Sequence, residues 1–155
     1  MTSYDFALLL HLLAVIAFFA GIAVAAAAHR AAGRLERAGE VAAVLGLART
    51  GVLVVAVAIV LVLVSGLWLI EETGQSLGDS WLALSLVLLL AAALLGAVGG
   101  RKPKQARLLA ERQTPEDPAD TEIAALLGDR TGLAANLLAT AAAFAILVLM
   151  VWRPD

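Results

Sequence analysis

Residues 51–70 read GVLVVAVAIVLVLVSGLWLI, a run with one hydroxyl side chain and no charge. A helix of twenty residues is about 30 Å long, which matches the hydrocarbon thickness of a bilayer. Because lipid offers no hydrogen-bond partners, a chain crossing it must satisfy its own backbone groups within a helix. The stretch therefore predicts a transmembrane helix.

Three more apolar runs of similar length lie at residues 6–28, 81–100 and 133–152. The composition agrees, since 62% of the 155 residues are hydrophobic, 15% are charged and the mean hydropathy is +0.94. Soluble domains carry about 25% charged residues. We expect an all-α fold, a four-helix transmembrane bundle that forms one integral membrane domain over residues 1–155. The lipid bilayer is its expected partner, and a net charge of −2 gives no indication of nucleic-acid binding.

The positions of the cations predict an orientation. Of eleven Lys and Arg residues, four lie in the connection between the first two runs and six in the connection between the last two, whereas Arg153 alone lies on the other side. Cytoplasmic loops of membrane proteins carry an excess of Lys and Arg. Both termini are therefore predicted outside, both long connections cytoplasmic, and the protein multi-pass in a bacterial-type cytoplasmic (inner) membrane.

The long connections are predicted to be partly helical. Residues 34–45 alternate apolar and charged side chains in a pattern typical of a helix that lies on the membrane surface or extends from a span. Further along, Asp120 or Thr121 is predicted to cap a long helix that continues into the fourth run.

Small residues predict where the helices pack, because they let backbones approach closely in lipid. They recur every three or four positions around Gly21 in the first run, and Gly99 ends a similar series in the third. Asn136 and Thr140 are four residues apart and share one face of the fourth helix. We interpret these two as polar contacts between helices in preference to substrate ligands.

His11 stands alone among apolar residues of the first run, at the depth that Ser65 and Ser85 reach on the next two helices. In one interpretation a serine hydroxyl pairs with the imidazole and the role is structural; Ser65 and Ser85 can instead bond back to their own helices. In the other, the imidazole ligates haem b or a metal, or relays protons. Met150 is the other conventional iron ligand near that level. No catalytic residue and no multi-residue metal site is predicted.

Several stretches carry a family resemblance. His11 with Gly21 ten positions later, WLALSLVLLLAAALLG at 81–96 and LVLMVWRPD at 147–155 resemble the bacterial integral-membrane family "domain of unknown function 2269". That resemblance implies a four-helix membrane protein without an established activity. More distantly, the first helix is similar to those of the copper-resistance D and haem-containing protoporphyrinogen oxidase membrane families. In the latter likeness, His11 corresponds to a haem-ligating histidine.

Two functions follow from these residues. The first is a non-enzymatic structural, accessory or ligand-binding module that works with a second copy or with another membrane protein. The alternative is a haem- or metal-binding redox protein in which His11 is an axial ligand. The residues favour the first, and with it the absence of enzymatic activity.

Overall fold

The computed structural model describes residues 2–76 and 78–152, and each regular element within them is an α-helix. In this part of the chain, strand-like pairing is limited to an isolated β-bridge between Arg37 and Pro118. The helices are α1 (Ser3–Ala32), α2 (Ala38–Thr73), α3 (Ser80–Gly99), α4 (Arg101–Ala110), α5 (Thr121–Leu127) and α6 (Arg130–Trp152). The predicted all-α fold is confirmed.

Four helical segments are long and apolar enough to cross a membrane, namely Ser3–Ala32, Ala38–Thr73, Ser80–Ala110 and Thr121–Trp152. Each contains one of the four predicted runs and continues beyond it. Residues 38–50 belong to α2 itself, so of the two alternatives for the first connection the extension from a span is the one observed. The prediction of four spans is confirmed.

The third segment is interrupted at Gly100, where α3 gives way to α4. Pro103 lies four residues after Gly99 and has no N–H to donate to the Gly99 carbonyl, so the helical hydrogen-bond series is broken there. The interruption coincides with the end of the apolar run, and the chain changes from apolar to basic at this point.

The fourth segment is also divided, and here the prediction of one long helix is wrong. Asp120 precedes α5, which starts at Thr121, but makes no side-chain cap hydrogen bond. The helix then stops at Gly128, a residue that disfavours helix interiors. The Asp129 carboxylate accepts the Gly132 N–H at 2.8 Å and caps the start of α6.

The helices contribute to two compact units, residues 2–28 with 47–76 and residues 29–46 with 78–152. In the first unit, α1 and α2 cross where Gly21 meets Gly51. A Cβ on Gly21 would lie 2.7 Å from the Gly51 carbonyl oxygen, and a Cβ on Gly51 would lie 2.7 Å from the Gly21 carbonyl oxygen. The two backbones therefore touch directly.

In the second unit, α3 and α6 cross where Gly99 meets Gly132. A Cβ on Gly132 would lie 3.4 Å from the Gly99 carbonyl oxygen. One turn further along α6, the Asn136 carboxamide lies against Gly99, and its Cγ is 2.6 Å from the position that a Gly99 Cβ would take. This crossing therefore combines a backbone contact with a side chain that fills the remaining space.

The second unit has an apolar core outside the four apolar runs. Leu45, Val41 and Ile123 are its large members, each at most 2% exposed. Its buried residues are Ala32, Val41, Leu45, Ala106, Ala110 and Ile123. Helix α4 contributes two alanines, so its buried face is narrow and its other faces carry the charged side chains.

A segment of the long connection covers the start of α2. The carbonyl of Asp117 accepts the Ala38 N–H at 3.0 Å, and the carbonyl of Pro115 accepts the Gly39 N–H at 3.1 Å. These backbone acceptors satisfy N–H groups that the first turn of a helix leaves without intrahelical partners. Residues 114–119 therefore cap α2 through the main chain.

Candidate functional site

His11 lies in α1 on a face of small side chains. Ala7 and Ala14, one turn before and after it, are 0% and 2% exposed, and His11 itself is 8% exposed. Since residues three and four apart share a helix face, the three form one buried strip. The short alanines leave room for α2 to approach the imidazole.

The partner of the imidazole is Ser65 on α2. The distance from His11 Nδ1 to Ser65 Oγ is 3.1 Å, and the pair is buried. The ring also lies beside Gly66, whose missing Cβ would be 3.5 Å from His11 Cε1. The structure thus brings His11 together with one of the serines predicted at its depth.

The hydrogen bonds around Ser65 indicate the tautomer of the ring. The Ser65 hydroxyl donates to the carbonyl of Leu61 at 2.5 Å. A hydroxyl has one proton to donate, so Ser65 Oγ accepts from His11, and Nδ1 carries the hydrogen. The Val62 carbonyl, which can also only accept, lies 3.4 Å from the same hydroxyl oxygen. This assignment leaves the lone pair of the neutral imidazole on Nε2.

The other predicted polar residues lie in the second unit. Ser85 is buried, and its hydroxyl donates to the Trp81 carbonyl of its own helix at 2.8 Å. Thr140 likewise donates to the Asn136 carbonyl at 2.8 Å. Met150 is half-buried near the end of α6. Both hydroxyls therefore bond back to their own helices, and the Asn136 carboxamide is the polar side chain that contacts a neighbouring helix.

A second polar cluster in the first unit was not predicted as a site. Trp68 Nε1 lies 3.1 Å from Ser3 Oγ and 3.3 Å from Glu72 Oε1, and Ser3 donates to the same carboxylate. The Phe6 and Trp68 rings are 5.8 Å apart. The available sequence signal was Trp68 followed by Glu72 four residues later, which places both on one face of α2. These contacts tie the first turn of α1 to the end of α2.

Across the described ranges 2–76 and 78–152, no three His, Asp or Glu side chains are grouped so that they could hold a metal ion. The imidazole contacts the Ser65 hydroxyl, and that hydroxyl in turn contacts the backbone carbonyls of Leu61 and Val62. Such a set can orient an imidazole and fix its tautomer.

The outer surface of α2 identifies the class of protein. Val57, Val60 and Val64 follow one another along one side of the helix and are 60%, 59% and 55% exposed. Rows of exposed apolar side chains on membrane-length helices are what a lipid-facing surface requires. The chain is a multi-pass integral membrane protein.

The chain belongs to the family of predicted integral membrane proteins designated DUF2269, which matches residues 6–154. The family resemblance noted in the sequence is thereby confirmed. No curated protein and no solved structure matches the chain. The likeness of the first helix to the copper-resistance D and protoporphyrinogen oxidase families stays a prediction.

Proposed function

We propose that this chain is one integral membrane domain with a non-enzymatic role, a structural, accessory or ligand-binding module held in shape by a buried polar contact. The observation that carries the proposal is the 3.1 Å contact between His11 Nδ1 and Ser65 Oγ. The ring N–H is taken by Ser65, and the serine proton is taken by the Leu61 carbonyl. Both side chains are thus used in holding α1 against α2.

The energetics favour a role in specifying the helix pairing. A buried polar group without a partner costs about 1–3 kcal/mol. An interhelix hydrogen bond in a membrane protein contributes about 0.6 kcal/mol on average. Because the penalty for breaking the contact exceeds its net gain, His11 acts mainly by excluding rotations of α1 that separate it from Ser65.

An absorbance spectrum tests this proposal. The protein is expressed with added haem precursor, purified in a mild detergent and scanned oxidised and reduced, beside the variant His11→Ala. We expect no stoichiometric Soret band, together with a lower melting temperature for the variant. A stoichiometric band that disappears in His11→Ala would reject the non-enzymatic role in favour of a haem protein.

A haem-binding redox function is the second candidate, and the observation that favours it is the pairing of His11 Nδ1 with Ser65 Oγ, from which the tautomer is inferred. Histidines that ligate metals usually donate their other ring N–H to a protein acceptor, which orients the ligating nitrogen. Ser65 provides that acceptor, and Nε2 is left with the lone pair. In this candidate His11 is an axial ligand of haem b. A variant Ser65→Ala would then bind haem with an affinity about 10- to 100-fold lower, because it removes the acceptor that orients the imidazole.

The orientation is proposed with both termini outside, and the membrane as the cytoplasmic (inner) membrane of a bacterium. Ten of the eleven Lys and Arg residues lie in the two connections at 29–50 and 101–132. This distribution supports the orientation, because cytoplasmic loops carry an excess of Lys and Arg. The chain has no cysteine, so a thiol reagent can label a single-cysteine variant only at the introduced residue. With an impermeant thiol reagent on intact cells, Ser76→Cys should label and Glu116→Cys should not. The reverse pattern would invert the proposed topology.

The module is also proposed to act with a second copy of itself or with another membrane protein. The support is the small number of polar side chains in its spans: His11 pairs with Ser65, whereas Ser85 and Thr140 bond back to their own helices. Light scattering of the detergent complex gives the protein mass. A monomer that shows no cross-link to another protein in native membranes would contradict the proposal.

A further inference from the structure

Four exposed cations are clustered at one end of the α3–α6 pair. Arg101, Lys102 and Lys104 occupy the first turn of α4, and Arg130 is the first residue of α6. We call these four the juxtamembrane cations. The apolar run 81–100 ends directly before Arg101, and the run 133–152 begins three residues after Arg130.

The crossing of α3 and α6 brings these residues to the same end of the pair. Gly99 and Gly132 are in contact, since a Cβ on Gly132 would lie 3.4 Å from the Gly99 carbonyl oxygen. Arg101 lies two residues beyond Gly99, and Arg130 lies two residues before Gly132. The four charges therefore gather where both helices leave the apolar region.

The juxtamembrane cations have no carboxylate partner within residues 2–76 and 78–152. The two acidic side chains closest in sequence are already engaged. Asp129 accepts the Gly132 N–H at 2.8 Å, and Glu111 pairs with Arg107 one turn before it in α4. Asp129 keeps its negative charge while it accepts this N–H, so four cations face one neighbouring carboxylate. The cluster therefore keeps a net positive charge that requires counterions from outside the chain.

We propose that the juxtamembrane cations bind the headgroup phosphate of an anionic phospholipid in the surrounding bilayer. Residues that directly follow a span lie at the level of the lipid headgroups. Guanidinium groups pair with phosphate through two parallel hydrogen bonds, and lysines add point charges. Clusters of four or more cations beside a transmembrane helix are typical of anionic-lipid recognition. The bound lipid neutralises a cluster that the fold leaves uncompensated.

Native mass spectrometry of the full chain tests the proposal. The protein in neutral-detergent micelles is titrated with phosphatidylglycerol and, separately, with phosphatidylcholine. The test variant is Arg101→Gln/Lys102→Gln/Lys104→Gln. The matched control is Arg34→Gln/Arg37→Gln/Arg112→Gln, which removes the same number of exposed cations from the same unit. Lys102→Gln/Lys104→Gln is a milder variant, for use if the triple variant loses helicity by circular dichroism.

We expect wild-type protein and the control to retain phosphatidylglycerol in preference to phosphatidylcholine. Each cation near an anionic surface changes affinity by roughly fivefold, so the triple variant should lose roughly 100-fold and the double variant roughly 25-fold. Equal retention of the two lipids by wild-type protein would overturn the proposal. An equal loss of phosphatidylglycerol affinity in the control variant would also overturn it. An unchanged lipid preference in the folded test variant would do the same, and these cations would then serve only as an orientation signal.

Discussion

The two glycine crossings of this chain differ in what a side chain would encounter. At the α1–α2 crossing, a Cβ on Gly51 would lie 2.7 Å from the Gly21 carbonyl oxygen and 2.9 Å from the Ala25 nitrogen. At the α3–α6 crossing, the atoms facing Gly99 are those of the Asn136 carboxamide. A backbone cannot move without moving its helix, whereas a carboxamide can rotate.

The polar side chains also differ between the α1–α2 pair and the α3–α6 pair. In the first unit, His11 and Ser65 join α1 to α2. In the second, the hydroxyls of Ser85 and Thr140 bond to carbonyls of their own helices. The α1–α2 pair is thus held by a tight backbone contact and a directional bond, and the α3–α6 pair by packing that a side chain can adjust. The first pair should therefore tolerate substitution less well.

The largest effect is expected for Gly51→Ala. Alanine favours a helix over glycine by about 1 kcal/mol, but overpacking typically costs about 1–3 kcal/mol or more where neighbours cannot move. The net result should be a lower melting temperature in detergent. Gly46→Ala on the same helix is the control, because nothing lies within 4 Å of its added methyl. If Gly51→Ala melts at or above wild type, the crossing is looser than the structure indicates.

The next effect concerns the polar contact of the first pair. A double-mutant cycle with His11→Leu and Ser65→Ala should show a coupling free energy of about 0.6–1.7 kcal/mol, the range for interhelix hydrogen bonds in membranes. Thermal or denaturant unfolding of the four proteins provides the measurement. Ser85→Ala is the comparison in the second unit and should be nearly neutral, because a hydroxyl bonded within its own turn adds little stability. Zero coupling would mean that the imidazole does not join the helices.

The spans could be predicted from the sequence because their length and composition are set by the bilayer alone. The crossings could be predicted only in part. Gly21 and Gly99 lie within periodic series of small residues, and Gly132 stands three residues before the similar series Ala135, Ala139 and Ala143. Gly51 is followed by large apolar residues, and no such series marks it. Which glycine meets which depends on the axial register of two helices, and a pattern within one helix contains no information on that register.

The candidate site shows a similar limit. Counting residues from the end of each span placed Ser65 and Ser85 at the depth of His11, but depth does not determine the rotation of a helix about its axis. The division of the fourth segment at Gly128 was missed because the sequence offers two candidate N-cap residues and the first was chosen. Asp120 and Asp129 both resemble N-caps, and the carboxylate that accepts a backbone N–H is that of Asp129.

The smallest loss of stability should come from a substitution at the α3–α6 crossing, and a second substitution should restore it. In Gly99→Ala the new methyl meets the Asn136 carboxamide, whose Cγ lies 2.6 Å from the Cβ position of Gly99. Because the carboxamide can rotate away, the loss in stability should stay below about 1 kcal/mol, the scale of an off-rotamer side chain.

Adding Asn136→Ala to Gly99→Ala should restore the melting temperature, since it removes the atoms in conflict and keeps a small residue at the contact. Gly96→Ala is the matched control on α3, where nothing lies within 4 Å of the added methyl. The restoration distinguishes the two crossings, because truncating Val55 or Ala25 cannot remove the backbone atoms that oppose Gly21 and Gly51. If Gly99→Ala is as damaging as Gly51→Ala and Asn136→Ala does not rescue it, both crossings are governed by backbone contact and the contrast between the two helix pairs is wrong.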